Sequence, residues 1–171
     1  MKTKQTIQSY CLATPVGQMR VELSGHGLRS LTLPRGQARR RRKSAAVLDA
    51  MLRRLQRDLR DYFEGKAVDL RHPLDLDGAT PFQRAVWRAL RRIPHGQTRT
   101  YAQIARAIGR PRACRAVGAA CGSNPLPLLI PCHRVVACNG VGGFSAGRGW
   151  KKFLLDMEAA AAEDSASVLP E

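Results

Sequence analysis

The sequence contains no long apolar run, no repeated Cys-x-x-Cys unit and few acidic residues. No apolar stretch approaches the roughly 20 residues needed to cross a bilayer, and polar residues rather than an apolar signal core follow Met1. We therefore expect a cytoplasmic protein without a membrane span. Cysteine stands at positions 11, 114, 121, 132 and 138, an odd number at scattered spacing. This pattern predicts neither a disulfide framework nor a zinc ribbon and favours a reducing compartment.

The shortage of acidic residues leaves the chain strongly basic. Lys and Arg number 29 against 13 Asp and Glu, so the formal net charge is +16 and the sequence pI is near 11.0. Each phosphate that a basic side chain neutralises releases counterions, so this excess favours nucleic acid first and an anionic membrane surface second. A generally arginine-rich proteome would produce the same composition.

The first half of the chain predicts a small α/β lobe. Residues 6–33 predict a hairpin, because apolar and polar residues alternate in Met19–Leu23 and Leu28–Leu33 around a glycine-containing turn. Ser44 is expected to cap a helix that packs on this sheet and ends at Gly65. The basic run Arg39–Lys43 is typical of a solvated loop, although it would also suit phosphate contacts. Scattered spacing among Cys11, His26 and His72 predicts no metal site.

The second half predicts a mostly helical lobe. Thr80–Gln83 and Thr100–Gln103 each have the pattern of a capping box before an apolar stripe. A helix over 112–121 follows a glycine turn, so with its predecessor it forms a helix-turn-helix candidate, although many helical hairpins look similar. Residues 126–136 predict a buried extended segment, and a final helix is expected over 150–162. The expected domains are 1–78 and 79–162, followed by a tail at 163–171.

Cys132 is the residue with the clearest chemistry. An ordinary thiol, with a pKa of about 8.5, is mostly protonated at neutral pH and needs an activator. His133 is a candidate base, Arg134 supplies a permanent positive charge, and Pro131 fixes the backbone before the thiol. Adjacent side chains on a strand point to opposite faces, so Cys132 and His133 cooperate only through a turn or a bridging water. A buried structural cysteine is the alternative.

Residues from 80 to 158, about half of the chain, carry a longer pattern in type and spacing. Its members are Phe82-Gln83, Val86-Trp87, Ile93-Pro94, Gly96, Thr98, Tyr101, Ile104-Ala105, Arg115–Gly118, Asn124-Pro125, Ile130–Val136, Gly143-Phe144, Gly147, Lys151, Leu154-Leu155 and Glu158. This arrangement resembles the active-site signature of the O6-alkylguanine-DNA alkyltransferases, also called methylated-DNA--protein-cysteine methyltransferases. The resemblance implies an α+β fold with a ribonuclease-H-like first lobe and a helix-turn-helix second lobe.

The same resemblance implies a suicide reaction without metal or organic cofactor. Cys132 would take the alkyl group from O6 of guanine in duplex DNA, and whether O4-alkylthymine is also a substrate is left open. His133 would act as base through a water, with Glu158 as its orienter. Tyr101 would donate a proton or hydrogen bond to the leaving guanine, and Asn124 would brace the two segments of the site.

The resemblance also implies how DNA is bound. The protein would be a monomer that enters the minor groove and flips the damaged nucleotide, because a base inside a duplex cannot reach a buried thiol. Arg115 would fill the gap, and the DNA-binding set is Arg112, Arg115, Gly118, Ala119 and Tyr101. The guanine edge would meet Val135, Gly143, Phe144 and Ser145. Phe144 stands where relatives often have tyrosine, and the loop 140–143 is one residue shorter than usual, which leaves the accepted alkyl size open.

Two other classes compete with this interpretation. One is a DNA-binding protein without catalysis, either an alkyltransferase-like damage sensor or a helix-turn-helix regulator. Retention of Cys132 disfavours the sensor, because the sensing relatives replace this residue. The other is a cysteine hydrolase with a Cys-His pair, which would turn over repeatedly and need an oxyanion hole. The sequence signals neither of these features.

Overall fold

A computed structural model describes residues 6–34 and 49–166, with side chains described as far as residue 163. Three strands, β1 (Gln8–Thr14), β2 (Gly17–Ser24) and β3 (Gly27–Thr32), form an antiparallel sheet in the order β1-β2-β3. The predicted hairpin is β2 and β3. Strand β1 was not predicted as a separate strand. Leu12 is its only fully buried residue, so buried and exposed positions hardly alternate along it.

Helix α1 (Ala50–Phe63) packs against β1 and buries Leu52, Leu55, Leu59 and Tyr62. The prediction that Ser44 caps this helix was wrong: Asp49 is the N-cap, and its Oδ1 accepts a hydrogen bond of 2.9 Å from the backbone N–H of Leu52. Ser44 itself and the basic run Arg39–Lys43 lie outside the described residues.

Residues 73–75, in the segment after α1, hydrogen-bond to β3 at the edge of the sheet. Leu28 N–H donates to Pro73 O at 2.9 Å and Asp75 N–H donates to Leu28 O at 2.8 Å, so the two segments run parallel at a single bridge. Gly27 makes this approach possible, because a Cβ there would lie 2.5 Å from Pro73 O. A further bond, from Leu31 N–H to Pro125 O at 2.9 Å, ties the sheet to the second half of the chain.

As far as residue 166, the second half contains four α-helices: α2 (Pro81–Leu90), α3 (Tyr101–Ala107), α4 (Cys114–Gly122) and α5 (Arg148–Ala166). Both predicted capping boxes are present, at Thr80 with Gln83 and at Thr100 with Gln103. Helix α4 begins later than predicted, and α5 is longer at both ends. Within the described part of the chain, no helix is both long and apolar enough to cross a membrane. The predicted α+β fold class is confirmed.

The segment 126–136 is buried as predicted, but the prediction that it is extended was wrong. It turns repeatedly, with Leu128 at φ +74° and a 3₁₀ turn at Cys132–Arg134. Only β5 (Val135–Val136) is a strand, and it runs parallel to β4 (Arg99–Thr100). Apolar composition alone does not distinguish a buried strand from a buried irregular segment.

Candidate active site

Cys132 opens the 3₁₀ turn, and its side chain is only 3% exposed. The backbone N–H of Cys132 donates to Ile130 O at 2.7 Å, and that of Arg134 donates to Pro131 O at 3.0 Å. Because the chain turns here, the side chains of Cys132 and His133 are not forced to opposite faces as they would be on a strand.

Asn124 connects the end of α4 to the thiol. Its Nδ2 donates to Cys132 Sγ at 3.0 Å and to Ile130 O at 2.8 Å, while its Oδ1 accepts from Leu126 N–H at 3.0 Å. Burial raises the pKa of Cys132, whereas the Asn124 hydrogen bond and the positive charge of Lys151 oppose this rise. The thiol is therefore protonated at rest, and its anion has a donor already in place.

Glu158, on α5, accepts five hydrogen bonds although it is only 1% exposed. Its Oε1 accepts from His133 Nε2 at 2.8 Å, Arg134 Nη2 at 2.9 Å and the hydroxyl of Tyr62 at 2.5 Å. Its Oε2 accepts from Arg134 Nε at 2.8 Å and Gly96 N–H at 3.1 Å. Burial by itself would raise the pKa of Glu158, but the bonds from His133 and Arg134 outweigh it and hold the pKa well below its usual range. Glu158 is therefore a carboxylate.

The charge of Glu158 fixes the tautomer of His133. Burial lowers the pKa of His133 more than Glu158 raises it, so the imidazole is neutral at pH 7. A carboxylate only accepts hydrogen bonds, so Nε2 of His133 carries the proton and Nδ1 is left as the acceptor. Nδ1 is buried and has no protein partner among the described residues. It is the ring nitrogen available to receive a proton from the thiol.

Lys151, on α5, is fully buried and faces the same region. Its Nζ donates to the carbonyl oxygens of Val135 at 2.5 Å and Gly143 at 3.0 Å and lies 5.9 Å from the centre of the Tyr101 ring. Burial lowers the pKa of Lys151, and the neighbouring thiols Cys132 and Cys121 oppose this effect. Lys151 thus connects Val135, in the segment after the thiol, to Gly143, in the glycine-rich loop 139–149.

A cleft of about 290 Å³ opens in front of Cys132. Its lining comes from α3, α4, the 3₁₀ turn and the glycine-rich loop, namely Tyr101, Gly118, Cys121, Gly122, Cys132, Gly143, Phe144 and Ser145. The Phe144 ring also stacks edge-on against His133, with centroids 6.4 Å apart. The cleft therefore joins the thiol to the exposed surface of α4.

The chain is similar to known proteins over most of its length. The family model of the 6-O-methylguanine DNA methyltransferase, DNA binding domain, matches residues 81–160. The methylated-DNA--protein-cysteine methyltransferase of Methanosarcina acetivorans is 38% identical over 152 residues, which cover 85% of this chain and 94% of that protein. This chain belongs to the methylated-DNA--protein-cysteine methyltransferase family.

Two further relatives support the assignment. The probable methylated-DNA--protein-cysteine methyltransferase of Acanthamoeba polyphaga mimivirus is 52% identical over 101 residues, or 58% of this chain and 67% of that protein. The crystal structure of Mycobacterium tuberculosis OGT in complex with DNA matches with a TM-score of 0.73 at 34% identity, covering 90% of this chain and 93% of that one.

In this methyltransferase, the structure contains two hydrogen-bonded pairs, Asn124 with Cys132 and His133 with Glu158, and the 3₁₀ turn places Cys132 and His133 next to each other in the chain. Tyr101, Gly118, Gly143, Phe144 and Ser145 share the cleft beside it. Val135 is buried, and its carbonyl accepts from Lys151. Arg112, Arg115 and Ala119 are exposed at or before α4 and do not line the described cleft. The roles assigned to all of these residues from the resemblance stay predictions.

The sequence did not predict a role for two residues that contact the site. Tyr62 belongs to α1, which was expected only to pack on the sheet, yet its hydroxyl reaches Glu158 across the interface between the two halves. Lys151 was part of the resembling pattern but was given no role. A buried lysine has no local sequence signal, and only the long-range packing of α5 shows it.

Proposed function

We propose that this chain removes the alkyl group from O6-alkylguanine in duplex DNA by a single irreversible transfer to Cys132. The observation that carries the proposal is that Cys132, which lines a cleft bordering α4, accepts a hydrogen bond from Asn124 and is followed in the chain by His133, whose Nε2 bonds to Glu158. Family membership supports the same reaction type, since the relatives are named for methyl transfer from DNA to a protein cysteine.

The reaction begins with removal of the thiol proton. A water relays this proton from Cys132 to Nδ1 of His133, and Glu158 stabilises the imidazolium that forms. Asn124 Nδ2, at 3.0 Å, stabilises the thiolate, and the charge of Lys151 acts in the same direction. A buried thiolate without such donors would be too costly to form.

The thiolate then attacks the alkyl carbon. A carbon–sulfur bond forms, the bond between this carbon and O6 breaks, and its electron pair passes to the guanine, which takes up a proton. Tyr101 lines the cleft and donates a hydrogen bond to the departing base. The alkyl group is not readily displaced from the sulfur of the resulting thioether, so each protein molecule reacts once.

The damaged base reaches the cleft by rotation out of the duplex, at a cost of a few kcal/mol. Helices α3 and α4 form the helix-turn-helix that enters the minor groove. Gly118 lines the cleft and has no side chain to occupy it, and Ala119 is exposed beside it. Arg115 fills the place of the rotated base, and Arg112 contacts phosphate.

The direct test is mass spectrometry of the protein after mixing with an equimolar duplex that contains one O6-methylguanine. One methyl group is expected on the peptide that contains Cys132 and never more than one per molecule. Cys132→Ser is expected to gain none, while Cys138→Ser, which changes an exposed cysteine, is expected to react normally. Tight binding of this duplex without modification of Cys132 would contradict the proposal and favour a damage sensor.

A further inference from the structure

Two clefts on the outer side of α2 form one continuous groove. The first, of about 340 Å³, lies between the segment 67–71, residues 91–95 directly after α2, and the segment 128–134, and the second, of about 410 Å³, lies along α2 itself. Three residues, Arg71, Arg91 and Arg92, line both clefts. Arg84 and Arg88 complete what we call the arginine groove: Arg71, Arg84, Arg88, Arg91 and Arg92.

Helical spacing explains why the arginines share one face. The positions 84, 88, 91 and 92 follow the i, i+4, i+7, i+8 repeat of an α-helix. Val86 and Leu90 of α2 are buried, and Trp87 lines the second cleft while its Nε1 donates to Ala120 O of α4 at 2.8 Å. The described lining of the two clefts shares no residue with the cleft at Cys132.

The positive charge of the groove is almost uncompensated. Among the described residues, Arg71 is the only groove arginine in an ion pair, at 3.2 Å from Asp69. The sequence has no Asp or Glu between Asp77 and Asp156. Four of the five arginines are exposed, namely Arg71, Arg84, Arg88 and Arg92. The fifth, Arg91, is half-buried, and its burial and the positive charge of Arg71 both lower its pKa. The cluster repels itself, so an anion placed between the guanidinium groups would stabilise it.

Stabilisation of the helix does not account for this arrangement. Basic residues near the C-terminal end of a helix interact favourably with its dipole, which suits Arg88 and Arg91. Arg84, however, lies close to the N-terminal end of α2, where a positive charge is unfavourable, and Arg71 belongs to the preceding segment. Planar guanidinium groups in a row match the phosphates of a nucleic-acid backbone.

We propose that the arginine groove binds the phosphate backbone of a second segment of duplex DNA while α4 holds the first. The proposal rests on the DNA-binding part of the proposed function but not on alkyl transfer. Contacts to phosphate are independent of sequence, so the groove would bind undamaged DNA and hold the protein on it between lesions.

The test compares Arg88→Glu/Arg92→Glu with a matched control, Arg53→Glu/Arg57→Glu. Both pairs are exposed arginines four positions apart, both variants lower the formal charge from +16 to +12, and the control pair, on α1, does not line the groove. Binding to an undamaged duplex of about 40 base pairs is measured as a function of salt. The groove variant should lose two phosphate contacts, each of which contributes about 0.9 to the slope of log K against log salt concentration. The magnitude of its slope is therefore expected to fall by about 1.8.

A capture assay tests the second segment. Protein bound to an immobilised duplex of about 12 base pairs is expected to retain a second, labelled duplex, and the groove variant is expected to lose this retention while the control keeps it. Circular dichroism and thermal unfolding check that both variants fold. Equal salt slopes for the two variants, or retention by the groove variant, would overturn the proposal. A groove variant that loses affinity for polyglutamate but not for DNA would also overturn it, in favour of an acidic protein partner.

Discussion

At the scale of single residues, Glu158 determines the charge state of the site. It collects hydrogen bonds from Tyr62, Gly96, His133 and Arg134, and it is buried among them. An ionised carboxylate without these donors would be too costly to bury. Because Arg134 compensates its charge, Glu158 holds His133 in place while burial keeps that imidazole neutral.

Removal of the Tyr62 hydroxyl tests this balance. In Tyr62→Phe, Glu158 loses one donor and attracts positive charge on His133 more strongly, so the pKa of His133 rises. In the proposed mechanism His133 acts as base only when neutral, so the acid limb of the transfer rate should move to higher pH, and the buried site should lose about 1–3 kcal/mol of stability. The single-turnover rate of methyl transfer between about pH 5.5 and 8.5 measures the shift.

Tyr10→Phe provides the matched control, because the Tyr10 hydroxyl bonds to Gln8 on β1 and is remote from Glu158. Its rate profile should coincide with that of the wild type. If the profile of Tyr62→Phe also coincides, Tyr62 contributes packing alone and has no influence on His133.

At the scale of elements, the turn before β4 must come close to α5. Gly96 has φ +73°, and a Cβ there would lie 2.8 Å from Ala162 Cβ and 3.1 Å from Glu158 O. Its N–H also donates to Glu158 Oε2. The glycine is therefore required both for its backbone conformation and for the space it leaves to α5.

A pair of glycine substitutions separates these two requirements. Gly109 has a similar φ of +70° but nothing within 4 Å of the Cβ position. Gly109→Ala should cost about 1–2 kcal/mol of unfolding free energy, the cost of the left-handed conformation alone. Gly96→Ala should cost more and also slow methyl transfer, because α5 and Glu158 are displaced. Urea unfolding and the single-turnover rate measure both effects, and equal costs would show that contact with α5 is unimportant.

At the scale of the whole molecule, buried histidines should make the fold sensitive to mild acid. Burial lowers the pKa of His72 and of His133, although Asp58 and Glu158 respectively oppose this. The unfolded chain takes up these protons below its ordinary histidine pKa of about 6.5, whereas the folded chain does so only at lower pH. Stability is therefore full above about pH 6.5 and falls as the pH drops below it, by at most about 1.4 kcal/mol per pH unit for each proton.

The pH dependence is measured by urea unfolding at about pH 7.5 and 5.5. His72→Asn should lower stability at both values, because it loses the 2.9 Å bond to Asp58, but the difference between the two pH values should become smaller. An undiminished difference would show that His72 does not contribute. The substitution leaves the candidate active site intact, since His72 lies outside it.

Local signals were sufficient for several elements and insufficient for others. The capping boxes at Thr80 and Thr100 depend on residues three positions apart, so the sequence predicted where α2 and α3 begin. The start of α1 was wrong because Ser44 and Asp49 are both good N-caps, and local propensity does not choose between them. The turning path of 126–136 was wrong because its apolar residues are buried whatever the backbone conformation.

By itself, the sequence determined the family pattern, the position of Cys132 as the candidate thiol within it and the basic character that favours nucleic acid. These properties depend on residue type and short spacing. Only the tertiary structure decided that Tyr62 reaches Glu158, that Lys151 joins two loops and that five arginines from two segments form one groove. Such contacts join positions far apart in the chain, and packing of the whole core fixes which of them meet.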